Sequence, residues 1–171
     1  MSALLDERKD PIRFLRHESS LTWWREQRQY FDLYTSEAVF FELAKGSLLD
    51  TAKILAYLDQ MIRLPVNADV VGAAVAYQEQ LLMPREEAGD AVHLAVASVH
   101  EIEYLLTWNC RHLANTNKLR RLQVVNRRLG LLSPFLLTPD MLLREDADAN
   151  PSDKSKNKGK GNDSDKGDAI A

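Results

Sequence analysis

At 171 residues the chain is one domain's worth of sequence, long enough to bury a sizeable core, and its 45% hydrophobic and 27% charged residues are ordinary for a soluble globular protein. The formal net charge of −3 carries no global nucleic-acid signature. No apolar run reaches the ~18 residues needed to cross a membrane, and the lone Cys110 excludes an internal disulfide and fits a reducing cytoplasm.

Residues 1–10 are polar and lack periodicity, and Asp6, Glu7 and Asp10 stand where a signal peptide would need an apolar segment. Asp10-Pro11 reads as a helix start with proline at the first helical position. Ile12, Leu15, Leu21, Trp24 and Phe31 then recur near helical spacing, which predicts a helix through Phe31 with Trp23-Trp24 packed on a sheet. Leu33-Tyr34-Thr35 is a short strand. Ser36 reads as the N-cap of a helix over 38–45, with Glu37 in the favourable first turn and Gly46 as its stop. A second helix covers 47–60, and a brief strand over 61–66 is broken by Pro65. Asn67 or Asp69 caps a helix running to about Leu82.

After a loop at Met83-Pro84-Arg85, the chain enters Asp90-Ala91-Val92-His93-Leu94-Ala95, the start of a helix apolar nearly all round. Such a helix is buried on more than one side. The burst Tyr104-Leu105-Leu106 has strand length, so Asp90 stands at a helix entrance and Asn109 at a strand's carboxyl end. A polar helix over 115–129, closed by Gly130, precedes a last strand over 134–138 and a turn opened by Pro139. Residues 145–171 hold almost nothing apolar, which predicts a disordered polar tail.

Strands separated by helices imply parallel pairing and a three-layer α/β/α sandwich. There is no internal repeat, no glycine-rich phosphate loop and no cysteine–histidine zinc spacing. His17, His93, His100 and His112 fall into no ligand pattern and read as surface or packing residues. Lys118, Arg120, Arg121, Arg127 and Arg128 crowd one helix, as a solvated face or a phosphate-contacting patch.

The acidic residues admit two readings each. Asp90 after Gly89 suits an N-cap, Glu42 suits an exposed helix face, and Asn109 suits a turn. In a parallel α/β sheet, however, all three can converge at the carboxyl edge, where ligand sites gather. Carboxylates gathered without a nearby Lys or Arg would repel unless a cation sat among them. Their hard oxygens suit Mg²⁺ or Mn²⁺.

The run Asp90-Ala91-x-His93-Leu94-Ala95, then Tyr104-Leu105-Leu106-Thr107-Trp108-Asn109 and Cys110-Arg111-His112, resembles the second half of a PIN domain. The nearest branch is that of VapC-like toxin nucleases. The resemblance is specific there and looser from about Ser2 to about Leu142. It implies a PIN-like sandwich over 1–144 and an Mg²⁺- or Mn²⁺-dependent endoribonuclease of the toxin–antitoxin kind. Glu42 would match the family's second acidic position and Asp90 the third, with Asn109 as the fourth ligand. Arg111, His112, Lys118, Arg120 and Arg121 would bind substrate. RNA and a small antitoxin are the implied partners, with a homodimer as an option and no membrane; the implied location is cytoplasmic. The alternative is a degenerate, non-catalytic PIN-like domain that binds RNA or protein. Ser2-Ala3-Leu4-Leu5 resembles the segment just after the family's first acidic residue, so the resemblance also implies an N-terminally truncated domain lacking the central strand and its carboxylate.

Overall fold

The computed structural model describes residues 10–45, 51–80, 88–109, 116–143 and 167–170. Its first helix, α1 (Pro11–Glu26), starts as its sequence dictates, with the Asp10 carboxylate accepting from the Ile12 N–H at 2.9 Å. The helix stops earlier than its spacing implies. A 3-10 turn (Arg28–Tyr30) intervenes, and Phe31 opens strand β1 (Phe31–Ser36), where it packs 5.7 Å from Trp23. The apolar period continues through Phe31 because both elements feed one core, not because they are one helix.

Helix α2 (Glu37–Lys45) follows β1 directly. Ser36 does not cap it: the residue ends the strand, and its hydroxyl is buried with no hydrogen-bond partner among the described residues. Glu37 instead reaches out of the first turn and accepts from the Val66 N–H at 2.9 Å, tying α2 to the segment after β2 (Ile62–Leu64). Between them lies α3 (Thr51–Leu58); Gly46, read as the stop of α2, lies outside the described residues. Of the two candidate caps for α4 (Ala68–Glu79), Asn67 is the one used, accepting from Val70 N–H at 3.0 Å.

Helix α5 (Ala88–Val99) begins two residues before Asp90, so Asp90 sits inside the first turn and is not the N-cap. The burial expected of this helix holds: Leu94, Ala95, Val96 and Ala97 are all inaccessible to solvent. The helix ends on Glu101 at φ 57, with the Ile102 N–H reaching back to the Ala97 carbonyl at 2.9 Å. Strand β3 (Tyr104–Leu106) follows, then α6 (Thr116–Leu129), which ends on Gly130 at φ 71 in the same closing motif, then β4 (Phe135–Leu137) and a 3-10 turn (Pro139–Leu142).

The remaining strand, β5 (Gly167–Ile170), is the main departure from the sequence reading. It falls inside the segment read as a disordered tail, and residues 144–166 before it lie outside the described residues. The sheet order is β2-β1-β5-β3-β4 with every pairing parallel, so β5 holds the centre. Leu33, Ala169 and Tyr104 share one register row; Tyr34, Ile170 and Leu105 share the next. The central position, expected to be missing from this chain, is thus filled from the far end of the sequence.

Neighbouring residues of a strand point to opposite faces, and the core divides accordingly. Tyr34, Leu64 and Leu105 join a cluster with Val70, Tyr77 and Leu94. Leu33 and Leu106 join another with Trp23, Trp24, Ile54 and Leu58. Within the first, fully buried Asn126 is a polar hub: it accepts from the Tyr77 hydroxyl at 2.6 Å and donates to Ser98 Oγ at 3.0 Å and the Leu132 carbonyl at 2.8 Å. That network fixes α6 against α4 and α5. No helix among the described residues is long and apolar enough to cross a membrane.

Candidate functional site

Three segments meet at the start of α5. The first is α5 itself, whose first turn carries Asp90; a carboxylate there is favoured by the unpaired N–H groups and the positive end of the helix dipole. The second is the bend after β3. There Thr107 Oγ1 accepts from the Asn109 N–H at 3.0 Å, and the turn so made aims the Asn109 amide back at α5. Asn109 Nδ2 donates to Asp90 Oδ2 at 2.6 Å.

The third segment is α2, which brings Glu42 against the same turn. A Cβ added to Gly89 would fall 2.5 Å from Glu42 Oε1, so the carboxylate rests where only a glycine leaves room. Its other neighbour is His93, one turn along α5, with Nε2 3.1 Å from Glu42 Oε1. This hydrogen bond is the main reason the Glu42 carboxyl is held below its ordinary value; partial burial opposes it, and the charges of His93 and Lys45 assist. Asn109, at the end of β3, therefore meets Asp90, while Glu42, from α2, meets Gly89 and His93 of the same helix.

His93 is a residue of this region to which the sequence reading assigns no role. Its lack of a ligand pattern reads as surface or packing, yet it holds Glu42 in place. The available signal is its spacing: positions three apart on a helix share a face, so Asp90 and His93 have to lie side by side.

Trp108, beside Asn109, is fixed from α1. Its Nε1 donates to Ser20 Oγ at 2.9 Å, Ser20 Oγ donates to the Arg16 carbonyl at 2.7 Å, and the Arg16 guanidinium lies 5.6 Å from the indole centroid. Arg16 is a further cation near the site that no sequence motif marks. At the end of β1, where α2 departs, the Thr35 and Ser36 hydroxyls are buried with no hydrogen-bond partner among the described residues.

The expected substrate-binding residues are placed unevenly. Arg111 and His112 lie outside the described residues. Lys118, Arg120 and Arg121 are on α6. Arg120 is exposed, whereas Arg121 Nη2 donates to the Gln80 carbonyl at 2.8 Å and so caps the end of α4.

Carboxylate and amide oxygens are the donor type that a hydrated Mg²⁺ or Mn²⁺ takes. Among the described residues no group of three or more His, Cys, Asp or Glu side chains is close enough to hold a metal ion. Compared with known proteins, the chain matches no family model, no curated protein and no solved structure.

Proposed function

We propose that the chain is a metal-dependent endoribonuclease of PIN type, built as a three-layer α/β/α sandwich and acting as the toxin of a toxin–antitoxin pair. The observation that carries the reading is the Asn109–Asp90 hydrogen bond at the start of α5, the helix whose Gly89 and His93 also contact Glu42. The PIN-like motif from Asp90 to His112 supports it independently.

Glu42 and Asp90, with the Asn109 amide oxygen, would hold Mg²⁺ or Mn²⁺. A divalent ion bound there supplies charge to polarise the scissile phosphate and lowers the pKa of the attacking water. The chain's own residues provide the positioning. Asn109 orients the Asp90 carboxylate through its amide N–H. His93 orients Glu42. Arg16 and the exposed Arg120 offer cations to the RNA backbone, and a small antitoxin would cover the same surface.

A second reading has one observation in its favour. Among the described residues no three His, Cys, Asp or Glu side chains gather as a metal site would need, which suits a domain that binds RNA or protein without cleaving. A single experiment separates the two: incubation of the full chain with RNA and Mg²⁺ or Mn²⁺, alongside Asp90→Asn and a chelator control. Cleavage that requires both the metal and Asp90 is expected. Binding without cleavage would favour the second reading, and cleavage unaffected by Asp90→Asn would overturn the site.

A further inference from the structure

Within the described sheet, β5 is the only link between two halves. Strands β2 and β1 pair with each other, as do β3 and β4, and Gly167–Ile170 lies between the pairs with partners on both sides. An empty slot would leave two strand edges with unpaired N–H and C=O groups facing one another, an arrangement folded proteins avoid. The slot therefore has to be filled, but nothing in its geometry requires the occupant to come from the same molecule.

β5 is weakly specified by its own residues. It is four residues long, Gly-Asp-Ala-Ile, and is paired through the backbone with β1 and β3. It is joined to Leu143 through residues 144–166, in which Ala147 and Ala149 are the only apolar side chains other than Pro151 and the glycines. Fully extended, a segment of that length spans about 75 Å, against a diameter of about 40 Å for a folded domain of this size. It is long enough to reach the equivalent slot of a neighbouring molecule.

We propose that the slot between β1 and β3 is a strand-exchange site, and that its alternative occupant is Gly167–Ile170 of a second copy of this chain, giving a dimer joined by reciprocal exchange of the central strand. The contacts made by the strand are the same within one molecule or between two, so the balance is set by concentration. A tether of this length presents its own strand at an effective concentration of about millimolar or below. Single molecules dominate in dilute solution, and the exchanged dimer appears as the protein concentration approaches that value. The proposal does not depend on the nuclease reading, because it uses only the sheet topology and the tether.

The test uses the full chain with a protease recognition sequence inserted among residues 144–166. Samples from about 10 µM to about 1 mM are held a few degrees below the melting temperature to allow exchange, then sized by light scattering after chromatography. A dimer share that rises from near zero to more than half over this range is expected. Cutting the tether should then convert the dimer to particles of single-molecule mass that still carry the released peptide. Two outcomes overturn the proposal: a chain that stays monomeric throughout, or a dimer that survives the cut intact and is therefore held by another surface. Ala169→Pro, which removes an N–H from a strand paired on both sides, should abolish the dimer. A dimer that forms unchanged with this substitution would also overturn it.

Discussion

Asn109 donates its side-chain amide to the Asp90 carboxylate at 2.6 Å, joining the end of β3 to the first turn of the preceding helix. The bond uses the amide's donor, and the amide oxygen is the arm with acceptor capacity. Asp90→Asn keeps the size and a hydrogen-bonding oxygen but removes the charge a divalent ion needs. Loss of outer-shell partners alone costs metal sites about 10–100-fold, so metal-dependent cleavage should fall by at least about 100-fold. The melting temperature should stay within a few degrees. Cleavage at the wild-type rate would remove Asp90 from the site.

Gly89→Ala should separate stability from activity. An alanine at this helical position is favoured over glycine by about 0.5–1 kcal/mol. The new methyl, however, occupies the place of Glu42 Oε1, only 2.5 Å away. The far end of the long Glu42 side chain swings clear cheaply and loses His93. The expected outcome is an equal or higher melting temperature, a moved His93 imidazole resonance, and weaker cleavage. An unchanged His93 resonance would show that Glu42 does not depend on this gap.

Glu42 also sets a pH dependence. Its carboxyl lies below the ordinary value of 4.5, chiefly through the His93 hydrogen bond. A depressed folded-state value means that ionised Glu42 favours the fold, a contribution present above 4.5 and lost as pH falls through the folded value. Because the Glu42 side chain is 55% exposed, the effect is small. Thermal melts of Glu42→Gln should therefore show a slightly flatter acid limb than wild type. The two curves should diverge above that window and converge below it. Parallel curves throughout would mean that the pairing does not persist in solution.

Two helices end in the same closing motif with different residues at its left-handed position. α6 uses Gly130 at φ 71, whereas α5 uses Glu101 at φ 57. A side chain there costs roughly 1–2 kcal/mol that glycine avoids. Glu101→Gly should raise stability by about 1 kcal/mol, or roughly 2–4 °C in melting temperature for a chain of this size. Gly130→Ala should lower it by a similar amount. A Glu101→Gly protein less stable than wild type would mean that glycine's unfolded-state entropy outweighs the strain relieved.

Tyr77→Phe tests the buried hub. The hydroxyl donates to Asn126 Oδ1 at 2.6 Å in a site sealed from solvent, where burial also pushes the Tyr77 pKa up. Removing it strands a buried acceptor at a cost of about 1–3 kcal/mol. Chemical denaturation should show a lower midpoint with an unchanged slope. No change in the midpoint would mean that Asn126 finds another donor.

Much of the fold is legible because its signals are local. Asp10-Pro11 and Asn67 cap the helices they precede, Gly130 ends α6, and the alternation of helices and strands from α1 to β4 follows from apolar spacing. The approach of Asn109 to Asp90 is readable too, since one ends a parallel strand and the other opens the helix leading into it. Errors arise where a residue has two local uses. Ser36 reads as a cap but ends a strand, and Asp90 reads as a cap but lies within the helix.

Caps, periodicity and strand-end chemistry act over a few residues, so they are enough to order the elements and to set Asn109 against Asp90. Long-range packing alone selects the segment that fills the middle of the sheet and the partner that holds Glu42. In Gly-Asp-Ala-Ile only Ile170 has a strong strand preference; the segment lies between two flanking strands that pair with it on both sides. His93 is likewise ordinary in isolation and becomes Glu42's partner only when α2 is laid across the first turn of α5.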